Sequence, residues 1–147
     1  MYKHIVVAVD LAHGDAGKVL LAKAVELLDQ GGVVRLLHVL EDVPSYVAAE
    51  LPRDLNDRRQ AEAKVELGVL IENKGVTIES EIRTGAPASQ ILQCAEDNEV
   101  DLIMIASHRP GLRDYFIGST AARVVRHAQC SVLISRSGHG APATCWR

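Results

Sequence analysis

The sequence has few aromatic residues and no excess of basic charge, and both shortages exclude classes of protein. Aromatic residues make up 3% of the chain, and the formal net charge is −3. Domains that bind nucleic acids usually present a basic face and aromatic side chains on which bases stack, so no nucleic acid is expected as a partner. No apolar run approaches the roughly 20 residues that span a bilayer, so no membrane insertion is expected.

Cysteine is also scarce. The three cysteines, Cys94, Cys130 and Cys145, are widely spaced and include no Cys-x-x-Cys pair, which argues against a disulfide framework and a zinc site. The chain passes from Met1 to His4 directly into a strand pattern, so we expect no signal peptide. These features predict a cytoplasmic protein in which Cys94 and Cys130 are small buried apolar side chains.

Several motifs of catalysis and nucleotide binding are missing. The chain has no Gly-x4-Gly-Lys-Ser/Thr string, which excludes a P-loop NTPase. The Gly-x-Gly-x-x-Gly string of dinucleotide-binding domains is also missing after the first strand. The histidines show no metal-ligand spacing on a helix, and no Ser-His-Asp or Cys-His arrangement is evident. Phosphoacceptor receiver domains need clustered acids after the first strand, whereas Asp10 has no acidic neighbour. We therefore expect neither a metal site nor a catalytic residue.

Short apolar runs alternate with helical patterns along the chain. The predicted strands are Ile5–Val9, Val33–Leu40, Val76–Ile82, Val100–Ala106 and Cys130–Ser135. The predicted helices run from Asp15 to about Gln30, from Leu55 to Asn73, from Pro87 to about Asp97, and from Gly118 to about Ala128. Strict alternation predicts a doubly wound, Rossmann-like α/β fold with a five-stranded parallel sheet and four helices. Residues 1–136 form this single domain, and residues 137–147 are predicted to be a disordered tail.

The segment Gly118-Ser119-Thr120 is the most informative one, because it opens an amphipathic helix after a strand and a loop. The first amides of a helix lack intrahelical partners and carry the positive end of the helix dipole, so they bind anions. Gly118 has no Cβ and lets the chain approach a phosphate closely, and Arg109 supplies a nearby cation. The alternative is that Ser119 or Thr120 simply caps the helix.

The chain resembles the universal stress proteins over residues 2 to about 136. The segments that carry this resemblance are His4–Asp10, Leu37–Val39, Gly85–Pro87, Asp101–His108, Gly118–Ala121 and Val125–Ile134. Ser107–Pro110 together with Val125–Ala128 is similar to the F-type bacterial members. The family fold implies the strand order 3-2-1-4-5 and dimers that pair their fifth strands, here Ser131 to Ser135.

The resemblance also implies an ATP site, with or without Mg²⁺. By position, Asp10 and the backbone of Val39 should face the adenine, with Ala8 beneath it, while Ile105 and Ala106 should lie along the ribose. The residues expected at the phosphates are Arg109, Gly118, Ser119 and Thr120, with His108 in the same loop as a ligand-orienting residue. Ala106 and Arg109 replace the first two glycines of the family's phosphate motif, and the loop is one residue short. F-type members with the same short loop resemble ATP binders.

Three functional hypotheses follow from these residues and from the resemblance. The first is a homodimeric stress-response module that binds ATP with little or no hydrolysis and acts on a protein partner that the sequence does not identify. The second is an enzyme that slowly hydrolyses ATP or transfers its phosphate. The third is a nucleotide-free dimeric stress protein. We favour the first, because no base or acid cluster stands beside the phosphate loop.

Overall fold

The computed structural model describes residues 1–11, 14–71, 75–107 and 118–136. Its strands are β1 (Tyr2–Ala8), β2 (Leu28–Leu40), β3 (Thr77–Thr84), β4 (Leu102–Ser107) and β5 (Ser131–Arg136). Its helices are α1 (Gly14–Leu27), α2 (Ser45–Ala48), α3 (Leu55–Leu70), α4 (Pro87–Asp97) and α5 (Ser119–His127). Within these ranges, no helix is both long and apolar enough to cross a membrane.

The five strands form one parallel sheet in the order β3-β2-β1-β4-β5, which confirms the predicted fold. Two cores sandwich the sheet, as expected for strands that are apolar on both faces. On one face α1 and α3 pack through Leu20 and Leu67. On the other face α4 and α5 pack through Ile91 and Val124. The carboxyl ends of β1, β2 and β4 therefore meet at one edge of the molecule.

The predicted end of the first helix was wrong. Helix α1 stops at Leu27, and the chain enters β2 at Leu28, five residues earlier than expected. The pair Gly31-Gly32 lies inside this long strand, at an irregularity where the register with β1 jumps from Leu28 to Val33. The glycines therefore mark a bulged strand entrance rather than a helix stop.

The described residues contain five helices rather than the predicted four. The additional helix, α2, lies in the segment that was expected to be an irregular connection. Pro44 precedes it, and the Pro44 carbonyl accepts a hydrogen bond from the Val47 amide at 2.9 Å. Proline has a φ suited to this position and no amide hydrogen to leave unpaired there.

Candidate nucleotide-binding site

A cavity of about 320 Å³ opens at the carboxyl ends of β1, β2 and β4. In a doubly wound sheet this is the edge at which ligands bind, because the strand order reverses there and the loops diverge. Helix α1 contributes Ala16 and Gly17 to one side of the cavity, and α4 contributes Pro87 and Ile91 to the other. Helix α5 closes it with its first turn.

Every sequence-predicted site residue that lies within the described ranges lines this cavity. These residues are Ala8, Asp10, Val39, Ile105, Ala106, Gly118, Ser119 and Thr120. His108 and Arg109 fall in residues 108–117, outside the described part of the chain. The fold thus brings together residues from four separate segments, because each of them lies at or just after the carboxyl end of a strand, or opens the helix beside one.

Helix α5 begins at the cavity with Gly118 as its N-cap residue. No side chain of the described residues caps the helix through a hydrogen bond. The alternative in which Ser119 or Thr120 serves as the cap is therefore wrong. The φ of Gly118 is −55°, which any residue adopts, so only the missing Cβ distinguishes this glycine. A Cβ added there would meet no described atom within 4 Å.

The geometry of α5 suits an anion. The amides of its first turn point out of the helix start with the positive end of the dipole, and the exposed Ser119 adds a hydroxyl beside them. The basic side chains of α5 are Arg123, Arg126 and His127, and none of them lines the cavity. Any positive potential that α5 offers to the cavity therefore comes from its backbone.

The opposite wall contains a residue that the sequence analysis missed. His38 lines the cavity, and its Nδ1 lies 2.9 Å from the carbonyl oxygen of Val9. The available signal was the position of His38 inside the run Leu36–Leu40, which is otherwise apolar and ends β2, since an imidazole there needs a polar partner. Glu41 also lines the cavity, one residue after β2 ends.

No metal centre accompanies the cavity in the part of the chain that the structure describes. No group of three or more His, Cys, Asp or Glu side chains is placed there to hold an ion. Asp10 and Glu41 line the cavity as two exposed carboxylates. The arrangement therefore joins carboxylates from the ends of β1 and β2 with a helix start that attracts anions.

Comparisons with known proteins agree with this architecture. The model of the Universal stress protein family matches residues 1–136. Universal stress protein G of Salmonella typhimurium is 29% identical over 142 residues, which cover 92% of this chain and 100% of the relative. The solved structure of MJ0577 superposes with a TM-score of 0.79 at 25% identity, covering 95% of this chain and 99% of that protein.

A second solved structure contains a nucleotide. It is a universal stress protein in complex with cAMP, which has a TM-score of 0.58 and 20% identity to this chain. The match covers 91% of this chain and 96% of that protein. At this identity, the likeness establishes the shared fold alone.

Proposed function

Because this chain belongs to the universal stress protein family, we propose that it is a homodimeric, ATP-binding module of the stress response with little or no ATP hydrolysis. The observation that carries the proposal is the start of α5 at the wall of a cavity at the carboxyl ends of β1, β2 and β4, with no side-chain cap from the described residues. Adenine, ribose and phosphates then lie in order from Asp10 and Val39, past Ile105 and Ala106, to Gly118–Thr120.

The physical chemistry of the cavity supports this proposal. Its volume of about 320 Å³ falls in the range of small-molecule sites, roughly 300–1,000 Å³. Helix starts bind phosphate groups in many nucleotide-binding folds. A protein of the same fold has been solved with cAMP, so in that protein the fold accommodates an adenine nucleotide. Free thiols at Cys94 and Cys130 are in keeping with the cytoplasmic location that we expect.

Titration calorimetry with ATP, and with GTP as the matched control, tests nucleotide binding. We expect ATP to bind with a Kd in the micromolar range, about −8 kcal/mol, and to bind more tightly than GTP. Mass spectrometry of the nucleotides that co-purify with the protein gives an independent reading. If millimolar ATP produced no heat and no thermal shift, the proposal would be overturned and the nucleotide-free alternative would be favoured.

Hydrolysis separates the binding module from the enzyme. We expect little or no phosphate release with ATP and Mg²⁺, because no group of three or more His, Cys, Asp or Glu side chains in the described part of the chain is placed to hold a metal ion for the reaction. A turnover of several per second would lie in the ordinary range of enzymes. Such a rate would overturn the hypothesis of a binding module and favour that of an enzyme that hydrolyses ATP or transfers its phosphate.

The two edges of the sheet support a dimer through β5 rather than β3. Strand β3 carries a charged network in which Arg35 pairs with Glu79 and Glu81, and Arg83 pairs with Glu81 and Asp97. Charges of this kind discourage edge-to-edge pairing. By contrast, β5 has the partly exposed apolar run Val132-Leu133-Ile134. A two-fold axis between two β5 strands would cover both runs, and a strictly monomeric mass at tens of micromolar protein would contradict this.

A further inference from the structure

The pairing of β1 with β2 is interrupted at the wall of the cavity. The ladder is regular up to the pair Ala8 and Leu37, and the Val9 amide still donates to the Leu37 carbonyl at 2.8 Å. In a regular parallel ladder the next bond would run from the amide of Val39 to the carbonyl of Val9. The Val9 carbonyl is instead 2.9 Å from the imidazole Nδ1 of His38.

Chemistry fixes the direction of this hydrogen bond. A carbonyl oxygen only accepts, so Nδ1 of His38 must carry the hydrogen and donate it to Val9. The side chain of His38 therefore donates to the carbonyl that the Val39 amide would reach in a regular ladder, and no hydrogen bond from the Val39 amide to the Val9 carbonyl is formed. Since Val39 is an odd-numbered residue of β2, like Leu37, its amide faces the side of β1 and the cavity rather than β3.

We propose that His38 is the positioning residue of the adenine end of this site. By holding the Val9 carbonyl, it ends the β1–β2 ladder one bond early and leaves the backbone amide of Val39 to donate to a ring nitrogen of the base. The same bond anchors the exit of β1 that carries Asp10. This inference rests on the proposed ATP binding, and it explains why the backbone amide of Val39 is available for the expected contact with adenine.

A second histidine provides a matched control. Nδ1 of His4 lies 3.3 Å from the carbonyl oxygen of Asn98, so it also contacts a backbone carbonyl through Nδ1. His4 lies on β1 near the amino end of the sheet and is exposed, whereas His38 is half-buried and lines the cavity. Removal of either imidazole deletes a similar contact, but only one of them lies at the site.

Amide hydrogen exchange in the nucleotide-free protein tests the first step. We expect the Val39 amide of the wild type to exchange at least about tenfold faster than amides in the laddered part of β2. In His38→Ala the Val9 carbonyl is released, so Val39 should close the ladder and its exchange should slow. Strong protection of Val39 in the nucleotide-free wild type would overturn the proposal, even if His38→Ala failed to fold.

ATP titration tests the second step. We expect His38→Ala to raise the Kd about tenfold, the effect of losing one good hydrogen bond. His38→Asn keeps an N–H donor at the δ position, so it should restore most of the affinity, and His4→Ala should bind as the wild type does. An unchanged Kd in His38→Ala, or equal losses in the Ala and Asn variants, would overturn the role. If the wild type bound no ATP, the proposed function would fail, while amide exchange would still decide whether His38 opens the ladder.

Discussion

The two ends of the parallel sheet are built on opposite principles. At the amino end, the Asp101 carboxylate accepts hydrogen bonds from the amides of Lys3 and His4 at 2.9 and 3.0 Å, and the Asp101 amide donates to the His4 carbonyl. At the carboxyl end, a cavity opens beside the strands, and no described side chain caps α5. The polar groups at the amino end thus hold strands together, whereas those at the carboxyl end line a cavity.

The two ends also differ in the space around a glycine at each. A Cβ added at Gly32, near the amino end, would lie 2.7 Å from the carbonyl oxygen of Lys3 and 3.0 Å from that of Asp29. A Cβ added at Gly118, at the cavity, would have no described atom within 4 Å apart from those of its own segment. The first glycine is required by the packing of the protein itself. The second borders space that no described residue fills, and the same kind of substitution at each should therefore damage different properties.

The largest effect should come from Gly118→Val. Its side chain would occupy the space in which a phosphate approaches the α5 amides, so we expect ATP affinity to fall at least about a hundredfold. The melting temperature should change little, because replacing an N-cap glycine costs about 1 kcal/mol or less. Calorimetry and thermal melting on the same sample check both parts, with Gly118→Ala as a smaller, graded step. Unchanged affinity in the valine variant would end the assignment of this helix start to the phosphates.

The converse substitution, Gly32→Ala, should damage stability and spare binding. The added methyl group would press on the backbone carbonyl of Lys3, which cannot turn away as a flexible side chain could. We expect the free energy of unfolding to fall by about 1–3 kcal/mol, the usual cost of overpacking. Denaturant unfolding measures this loss, and an ATP titration of the folded variant should match the wild type. A weakened ATP affinity with intact stability would remove the distinction between the two ends.

The sequence predicts the carboxyl end better than the amino end. Asp10 follows β1, Val39 lies near the end of β2, and Gly118 precedes α5. A parallel sheet brings such positions together whatever the exact element boundaries are. The structure of the amino end depends on where α1 ends and β2 begins. In the sequence, the pair Gly31-Gly32 after a helical pattern predicts the end of a helix. A local pattern cannot distinguish a helix-ending glycine from one in a strand bulge, because the difference lies in pairing with a distant strand.

The same limit applies to α3 and to His38. The apolar pattern predicts Ala61, Val65, Leu67, Leu70 and Ile71 as the anchors of α3. Leu67 and Leu70 are buried as expected, but Val65 is 69% exposed, and Ala63 is buried instead of Ala61. This helix carries two apolar stripes, and only tertiary packing selects between them. The role of His38 depends on a hydrogen bond to Val9, directly after β1, and no spacing in the sequence predicts that contact.

A milder change at the cavity is Ser119→Ala, which removes one hydroxyl and leaves the α5 amides in place. A hydrogen bond to a charged group contributes roughly 1.5–3 kcal/mol, and Ser119 is exposed, so we expect a loss of affinity near the lower limit, about tenfold. Stability should not change, since Gly118 rather than Ser119 is the N-cap. Should the melting temperature fall while the Kd stays constant, the hydroxyl would have a structural role instead.

The smallest effect concerns the thiol of Cys94, which lies on α4 close to the amino end of the sheet. The backbone carbonyl of Cys94 accepts a hydrogen bond from the side-chain amide of Asn98, and the backbone carbonyl of Asn98 lies 3.3 Å from Nδ1 of His4. Burial, with the nearby Glu81 carboxylate as a second cause, raises the pKa of Cys94 from 9.0 to about 11. The folded protein therefore holds this proton more tightly than the unfolded chain does.

The sign of the pH dependence follows from that difference. Below about pH 9 the thiol is protonated in both states and its contribution to stability is fully present. As the pH rises toward about 11, only the unfolded chain loses the proton, so the free energy of unfolding should decline. Denaturant unfolding at a series of pH values should show a steeper decline in the wild type than in Cys94→Ala, which lacks the thiol. Parallel curves would mean that the thiol ionises alike in the folded and unfolded states. As a control, the ATP affinity of the two proteins between pH 7 and 8 should be the same, because Cys94 does not line the cavity.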